Sequence, residues 1–336
     1  MKREQKTMDK IRWGVLGCAY IARHVFLPAL QKTEGSVLTA VASRDRARAE
    51  EMARAFGAER FYGSYEDLLD AGDVDAVYIP LPNHLHREYT VKAAQRGIHV
   101  LCEKPLAMNE AEATEMAAVC RERGVRLMTC FPWRLDPMHR RAQEIVRSGE
   151  IGPIRYMRAG LSFCWSSEDN IRLRPETGGG ALMDLGIYSV DMFRWFIGEE
   201  PVEVSGTAVT PRLPVDVDET FNGELRFSGD VLGVFVGSFG MRWGGYEIFG
   251  ERGQIQTQVY DPWHRSKAAS LLVKAEGSQR AEAFGAHDLF GKAIAYFTRC
   301  VVTGDEPESD GEDGRREMRV VDALVESART GKRVRV

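Results

Sequence analysis

A lysine that follows a short apolar run is the most chemically suggestive feature of the sequence. Residues 99–102 (His-Val-Leu-Cys) are typical of a buried strand, and Glu103-Lys104-Pro105 ends that run abruptly. In an open α/β sheet, ligands bind outside the carboxyl ends of the strands. Lys104 is therefore expected where a cation meets an anionic cofactor or a reacting oxygen. The tripeptide alone fits a surface lysine at the start of a loop equally well.

A second chemical feature is the turn after the first apolar run, Ile11–Leu16. Residues 17–22 read Gly-Cys-Ala-Tyr-Ile-Ala, and the dinucleotide fingerprint is G-x-G-x-x-G/A between a strand and a helix. Ala19 occupies the second glycine place, so one methyl group lies where the backbone normally approaches a pyrophosphate. The alternative is a plain strand-to-helix turn. We predict a dinucleotide site here, formed by Gly17, Cys18, Ala19, Tyr20 and Ile21.

The end of the second predicted strand distinguishes between the two nicotinamide cofactors. NAD sites usually offer an acidic residue to the adenosine ribose, whereas NADP sites use Arg, Ser or Thr for the 2′-phosphate. Ser43 falls at this place and Arg44 follows it, and a guanidinium pairs well with phosphate. The sequence therefore predicts NADP in preference to NAD. The alternative is that Asp45 takes the ribose and Arg44 is solvated.

Composition limits the classes of protein that need to be considered. The chain has 336 residues and a net charge of −4, which argues against a nucleic-acid or anionic-membrane partner. The polar first ten residues do not resemble a secretory signal, and no apolar run approaches the ~20 residues of a membrane span. The six cysteines form no CxxC pair. We expect reduced thiols, a cytoplasmic location and no metal site.

Helices and strands alternate over residues 11–130, which predicts βαβ units and a parallel sheet. After residue 130 the pattern changes, and residues 202–275 are typical of successive strands joined by short turns, which are usually antiparallel. Two helices are expected to close the chain, joined by a mobile acidic link over 304–314. The predicted fold is α/β. A doubly wound Rossmann domain covers 1–130, and an α+β domain with an open, mostly antiparallel sheet covers 131–336.

Several motifs together resemble the glucose–fructose oxidoreductase/inositol dehydrogenase family, known as Gfo/Idh/MocA. Besides the glycine turn, they are the segments 82–86 (Pro-Asn-His-Leu-His), 103–105 (Glu-Lys-Pro), 131–134 (Phe-Pro-Trp-Arg) and 178–188. The resemblance runs over nearly the whole chain. It implies a Rossmann domain followed by a domain whose large open sheet often serves oligomer contact, hence a homodimer or homotetramer.

The resemblance also implies an active site. In the family, the Lys of Glu-Lys-Pro acts with the Asp and His of D-x-G-x-x-x-H or D-x-G-x-H, and Lys104 and Asp184 match the first two. The last place holds Tyr188 instead of His. This departure resembles the branch that contains dimeric dihydrodiol dehydrogenase and NADP-linked xylose dehydrogenase. Several sugar-nucleotide ketoreductases look similar here.

These residue types suit hydride transfer at a carbinol, which needs a group to take or give the hydroxyl proton. Asp184 and Tyr188 are four residues apart on a predicted helix, so they share a face. Tyrosine has an ordinary pKa near ~10, which a neighbouring ammonium should lower. We assign Tyr188 as the acid/base, Lys104 as its electrostatic partner and Asp184 as an orienting group. The alternatives are a buried structural tyrosine and a helix-capping aspartate.

Further residues are predicted to line the site. The family implies cofactor contacts at the sheet edge, which we assign to Pro80, Asn83, His86, Glu103 and Lys104. Arg134 matches a family position near the substrate cleft, although a salt bridge at the domain junction is an equal alternative. Aromatic and guanidinium groups suit a sugar, so Trp165 and Arg172 are further substrate candidates.

Two classes of function are consistent with these residues. The first is an NADP-dependent oxidoreductase for a secondary hydroxyl or keto group of a sugar or polyol, such as xylose, glucose or a dihydrodiol. Within this class, a keto-sugar-nucleotide reductase is the alternative. The second class is a non-catalytic NAD(P)-binding regulatory protein, which would have no need for the set Lys104, Asp184 and Tyr188.

Overall fold

A computed structural model describes residues 10–164, 170–211, 216–259 and 269–336. The strands are β1 Ile11–Leu16, β2 Ser36–Ala42, β3 Arg60–Tyr62, β4 Ala76–Ile79, β5 His99–Glu103, β6 Leu127–Cys130, β7 Ile154–Ser162, β8 Glu203–Val209, β9 Thr220–Arg226, β10 Leu232–Ser238, β11 Trp243–Gly250, β12 Gly253–Val259, β13 Ala269–Ala275, β14 Ser278–Phe284 and β15 Val334–Arg335. The α-helices are α1 Leu27–Leu30, α2 Arg46–Phe56, α3 Tyr65–Asp70, α4 His86–Gln95, α5 Glu110–Glu122, α6 Pro137–Arg147, α7 Ile187–Ile197, α8 Leu289–Thr303 and α9 Gly311–Thr330.

The first sheet has six parallel strands in the order β3-β2-β1-β4-β5-β6. This is the strand order of the Rossmann fold, in which the order reverses between β1 and β4. Helices cover both faces of such a sheet, so its central strands are apolar on both sides. All four residues of β4 are buried accordingly. The prediction of a doubly wound parallel sheet is confirmed.

Local signals in the sequence account for the boundaries of several helices. The side chains of Ser64 and Asn109 accept hydrogen bonds from backbone amides in the first turns of α3 and α5, as the capping pattern indicates. Asp45 caps α2 in the same way, and Gly57 ends that helix in the left-handed conformation. The first βα unit is less regular, since a π-helical turn, Ala22–Phe26, precedes the short α1.

The second sheet has nine strands in the order β14-β13-β12-β11-β7-β10-β9-β8-β15. The pair β7–β10 is parallel and the other neighbours are antiparallel, so the prediction of a mostly antiparallel sheet is confirmed. Helix α7 lies against one face of this sheet. Gly233 lets it approach closely, because a Cβ there would lie 2.6 Å from the ring of Phe193.

The expectation of a mobile link over 304–314 is wrong. The Thr129 amide donates to the Ser309 carbonyl (2.8 Å), the Ser309 hydroxyl donates to the Thr129 carbonyl (2.8 Å), and Asp310 forms a β-bridge with Met128. Helix α8 also packs on the first sheet, where Phe297 contacts Trp13. Since both closing helices contact the Rossmann sheet, the domain division at residue 130 stays a prediction.

In the part of the chain that the structure describes, no helix has the length and apolar character needed to cross a membrane.

Candidate active site

Lys104 lies directly after β5, at the carboxyl end of the parallel sheet, where the sequence predicts it. Its Nζ donates to the Asp184 carboxylate (2.9 Å to Oδ1) and to the Asp184 main-chain carbonyl (2.8 Å). The Lys104–Pro105 peptide bond is cis. The side chains of Lys104 and Asp184 are only 9% and 12% exposed. A largely desolvated ion pair therefore joins the first sheet to the second domain.

Asp184 lies on a π-helical turn, Leu182–Gly186, that runs directly into α7. A continuous α-helix over this stretch was expected, and single π turns are frequent at functional sites. The second carboxylate oxygen accepts a hydrogen bond from Arg172 Nε (2.8 Å). Burial acts to raise the pKa of Asp184, but Lys104 and Arg172 outweigh it and hold that pKa below its usual value. Asp184 is thus an ionised carboxylate between two cations.

Tyr188 completes the predicted set. The Lys104 Nζ lies 5.0 Å from the centroid of the Tyr188 ring, which is within the range of a cation–π contact. The ring of Phe131 packs edge-on against Tyr188, with 5.7 Å between the centroids. The structure therefore brings Lys104, Asp184 and Tyr188 together and adds Arg172 to them.

A glycine run, residues 178–180, precedes the π turn and allows a close approach. A Cβ on Gly179 would lie 2.4 Å from the Arg172 carbonyl oxygen, and one on Gly180 would lie 2.2 Å from Asp218 Oδ1. The Asp218 carboxylate accepts a hydrogen bond from the Leu182 amide (2.7 Å), and burial raises the pKa of Asp218 to about 6. Sequence reasoning missed Asp218, because no motif or spacing relates it to Asp184.

The glycine turn after β1 has the geometry of a dinucleotide cradle. Gly17 has a φ of +106°, and a Cβ there would lie 2.9 Å from Leu81 Cδ2. Glycine is required for such a conformation. Arg48 Nη2 donates to the Cys18 carbonyl (3.2 Å), and Tyr20 is 70% exposed beside the turn. Ile21 directly precedes the π-helical turn, and the Ala19 carbonyl accepts from the Arg23 amide (3.1 Å) in that turn. The residues present therefore fit the dinucleotide that the sequence predicts.

The residues that follow β2, Ser43, Arg44 and Asp45, suit a phosphate better than a ribose hydroxyl. The Asp45 carboxylate caps α2 by accepting from the amides of Ala47 (3.0 Å) and Arg48 (3.3 Å). Arg44 is exposed, and its positive charge partly offsets the rise that burial causes in the pKa of Tyr65. Ser43 is buried, and its hydroxyl accepts from the Asp45 amide (3.2 Å).

The predicted cofactor residues at the ends of β4 and β5 make contacts within the protein. Pro80 is buried, and Asn83 Nδ2 donates to the Gly178 carbonyl (2.8 Å). The ring nitrogens of His86 lie 2.8 Å from the carbonyl oxygens of Pro105 and Leu81, and burial lowers the pKa of His86. The Glu103 carboxylate accepts from the Tyr78 hydroxyl (2.6 Å), while burial raises its pKa. Their contact with a cofactor stays a prediction.

The three predicted substrate residues differ in where the structure places them. Arg134 is buried and pairs with Asp191 and with Asp313 (2.7 Å), which is the structural alternative named for it above. Its guanidinium lies 5.9 Å from the centroid of the Phe131 ring, which packs on Tyr188. Trp165 lies outside the described residues. Arg172 is the substrate candidate that the structure places beside the predicted catalytic side chains.

Family comparison agrees with this geometry. Residues 11–131 match the oxidoreductase family with an NAD-binding Rossmann fold, and residues 139–256 match the GFO/IDH/MocA C-terminal domain. The chain belongs to the Gfo/Idh/MocA oxidoreductase family. The resemblance drawn from the sequence motifs is thereby confirmed.

Individual relatives within the family act on sugars. The chain is 36% identical to D-xylose 1-dehydrogenase (NADP(+)) 2 of Haloferax volcanii, and the match covers 95% of this chain and 98% of the relative. It is also 36% identical to dTDP-3,4-didehydro-2,6-dideoxy-alpha-D-glucose 3-reductase of Actinomadura kijaniata, over 96% of each chain. Both relatives are covered almost completely.

Solved structures show the same fold. Aldose-aldose oxidoreductase from Caulobacter crescentus superimposes with a TM-score of 0.90 at 30% identity, over 97% of this chain and all of that one. A 3-ketoreductase from Actinomadura kijaniata, solved with NADP and TDP-benzene, superimposes with a TM-score of 0.87 at 34% identity, over 95% and 98% of the two chains.

Proposed function

We propose that this protein is an NADP-dependent oxidoreductase that interconverts a secondary hydroxyl and a keto group of a sugar or polyol, with an aldose such as xylose or glucose as the first candidate. The observation that carries this proposal is the meeting of Lys104, Asp184 and Tyr188 at the end of β5. This edge of a Rossmann sheet is where the reactive end of a dinucleotide meets its substrate.

The bound nicotinamide would supply or accept the hydride. The remaining chemistry belongs to side chains of this chain. Tyr188 gives or takes the hydroxyl proton of the substrate, and the Lys104 ammonium stabilises the negative charge that develops on the two oxygens. The Lys104 ammonium has three N–H groups. Two of them donate to Asp184, and the third would donate to the substrate. Asp184 holds this ammonium and Arg172 in place.

The preference for NADP is supported by two neighbouring residues after β2. The Asp45 carboxylate accepts a hydrogen bond from the first turn of α2, whereas Arg44 is exposed. Arg44→Ala should weaken NADP binding by about 10- to 100-fold while NAD binding changes little, because a charge-assisted contact with the 2′-phosphate is lost. Fluorescence titration gives both dissociation constants, and tighter binding of NAD by the unaltered protein would contradict the assignment.

The substrate class is tested by following nicotinamide absorbance while the protein meets NADP and a panel of aldoses, polyols and dihydrodiols. Turnover of a free sugar supports the proposal. The alternative is a keto-sugar-nucleotide reductase, which the equal identity to the Actinomadura kijaniata enzyme favours. That alternative predicts no turnover of free sugars and consumption of NADPH with a dTDP-linked keto sugar.

We also propose a homodimer or homotetramer formed through the open face of the second sheet. Apolar and charged side chains alternate on this face: Val234 is half-buried in the single chain and lies in register between Glu224 and Arg158. Val236 is also half-buried, Trp243 is 43% exposed, and the rings of Tyr156 and Phe249 pair beside them. Val234→Glu should convert the oligomer to monomers in sedimentation velocity. A monomer in the unaltered protein at every concentration would contradict this.

We propose a cytoplasmic location as well. The cysteines at 18, 102, 120, 130, 164 and 300 are free thiols, and free thiols are typical of a reducing compartment. Fractionation of the source cells with an antibody against the chain tests this.

A further inference from the structure

Residues 82–86, between β4 and α4, contact two segments of the candidate site, one that precedes Asp184 and one that follows Lys104. Asn83 Nδ2 donates to the carbonyl of Gly178, 95 residues further along the chain, at 2.8 Å. His86 is fully buried, and its ring nitrogens lie 2.8 Å from the carbonyl oxygens of Pro105 and Leu81. Both side chains therefore fix backbone of segments that carry other functional groups.

The segment that Asn83 holds presents Arg172. Gly178 is tightly enclosed, since a Cβ there would lie 2.5 Å from Met108 Sδ and 2.9 Å from Asn83 Cβ. The next two amides continue the connection: Gly179 donates to the Arg174 carbonyl (3.0 Å) and Gly180 to the Arg172 carbonyl (2.8 Å). A displacement at Gly178 is thereby passed to the backbone of Arg172.

The segment that His86 holds presents Lys104. The Pro105 carbonyl belongs to the residue directly after Lys104, and Leu81 lies in the neighbouring loop after β4. The imidazole therefore ties together the loops that follow two adjacent strands. Lys104 and Arg172 meet the two oxygens of one carboxylate, Asp184, so their relative placement depends on both connections.

We propose that Asn83 and His86 are positioning residues that brace Lys104 and Arg172 on either side of Asp184. The inference rests on the proposed function for its kinetic consequence, while its structural consequence is independent of any substrate. It replaces a direct contact with the cofactor as the main role of both side chains. The brace links the two domains at a second point beside the Lys104–Asp184 ion pair.

Hydrogen exchange in the protein without cofactor tests the structural part. Asn83→Ala removes the donor, and Asn83→Asp sets a carboxylate oxygen against the Gly178 carbonyl, so both should accelerate exchange in residues 171–181 by about three- to tenfold, the loss expected for one hydrogen bond. His84→Ala is the matched control, because that side chain is exposed on the same turn. Exchange unchanged in both Asn83 variants would overturn the brace.

A double-mutant cycle tests the kinetic part. Asn83→Ala should lower kcat/KM about three- to tenfold in the unaltered protein, yet have almost no further effect in the Arg172→Ala background, because Asn83 acts through that loop. NADP affinity should change less than about twofold. Two results would overturn the proposal in favour of direct cofactor contact. In the first, the double variant loses the product of the two single-variant losses in kcat/KM; in the second, NADP affinity falls as far as kcat/KM does in Asn83→Ala.

His86→Leu tests the contact between His86 and the segment after Lys104. It should accelerate exchange in residues 104–108 and lower kcat with little change in the KM for NADP. Unchanged exchange there, together with weaker NADP binding, would contradict the role proposed for His86. If the protein turns over no sugar, the exchange measurements still decide whether the brace exists, so a wrong substrate class and a wrong brace are distinguishable.

Discussion

Two buried ion clusters lie along one helical segment and differ in what they can do. In the first, Asp184 receives Lys104 and Arg172; in the second, Asp191, seven residues further on, receives Arg134. The side chains of the first cluster are 9%, 12% and 33% exposed, and they adjoin Tyr188. The second is sealed, with Arg134 and Asp191 5% and 0% exposed. A buried ion pair alone does not mark a site; the first cluster differs from the second in its partly exposed Arg172 and its contact with Tyr188.

The sealed cluster joins three elements. Arg134 in the segment after β6 pairs with Asp191 on α7 and Asp313 on α9, and Arg194 pairs with Asp313 as well. Glu317 lies in the same cluster, and within the described residues neither of its carboxyl oxygens has a hydrogen-bond partner. Burial and the neighbouring carboxylates raise the pKa of Glu317 well above its usual value. We infer that this cluster holds the domains together and takes no part in chemistry.

The largest expected difference between the clusters is in catalysis. Lys104→Met should lower kcat/KM by about 10³-fold, because the ammonium that stabilises developing charge is lost. The free energy of unfolding should change by less than about 1 kcal/mol, since Asp184 keeps Arg172 as a partner. Steady-state kinetics and urea unfolding measure the two quantities. A stability loss without a rate loss would place Lys104 in the same class as Arg134.

The converse result is expected for Arg134→Met. Removing this guanidinium leaves the buried Asp191 carboxylate without the cation it pairs with, while Asp313 keeps Arg194. Unfolding should therefore become easier by about 3–5 kcal/mol. The kcat of the folded protein should change less than about threefold. Arg140→Met is the control, because Arg140 forms an exposed pair with Glu308 that is worth at most about 1 kcal/mol. Equal losses in the two variants would show that the sealed cluster contributes little to stability.

A smaller difference concerns pH. A carboxyl whose pKa is raised in the folded state binds its proton more tightly there, so its stabilising contribution is complete below its ordinary pKa and is lost as the pH rises through the raised value. Glu317→Gln, which cannot ionise, should therefore flatten the fall of stability toward alkaline pH by on the order of 1 kcal/mol. Urea unfolding between pH 5 and 9 measures this. Parallel curves for the two proteins would contradict the raised pKa.

Acidic pH should instead weaken the contribution that the first cluster, around Asp184, makes to stability. The pKa of Asp184 is lowered by its two cations, so its contribution to stability is present above its ordinary pKa and disappears as the pH falls through the lowered one. Glu317 of the sealed cluster and Asp184 of the first cluster thus respond to pH in opposite directions, whereas Asp313 of the sealed cluster has a lowered pKa, as Asp184 does.

The sequence predicts the parts of this molecule that have local causes. Apolar runs indicate the parallel strands, Gly17 indicates the turn, and the motif residues indicate that Lys104, Asp184 and Tyr188 belong together. The partners of Arg134 could not be predicted in this way, because Asp191 and Asp313 lie 57 and 179 residues away. Asp218, which accepts from an amide 36 residues away, is also set by the tertiary fold.

Composition also misled in one segment. The acidic stretch 304–314 is typical of a solvated link, yet Ser309 and Asp310 pair with β6 and start α9. The Ser309 hydroxyl and the Asp310 carboxylate both form hydrogen bonds with backbone groups, and the distant partner, Thr129, is 180 residues away from Ser309. The π turn at Leu182–Gly186 was not predicted either, because Gly186 weakens a helix without indicating a π turn.

The most direct test of the account is to compare Tyr188→Phe with the unaltered protein, using NADP and whichever sugar of the panel is turned over. The substitution removes one hydroxyl and keeps the ring that packs on Phe131. We predict a loss in kcat of about 10²- to 10⁴-fold with unchanged thermal stability, because the group that transfers the proton is missing. Full turnover by Tyr188→Phe would contradict the central claim, because Tyr188 would then be a structural residue.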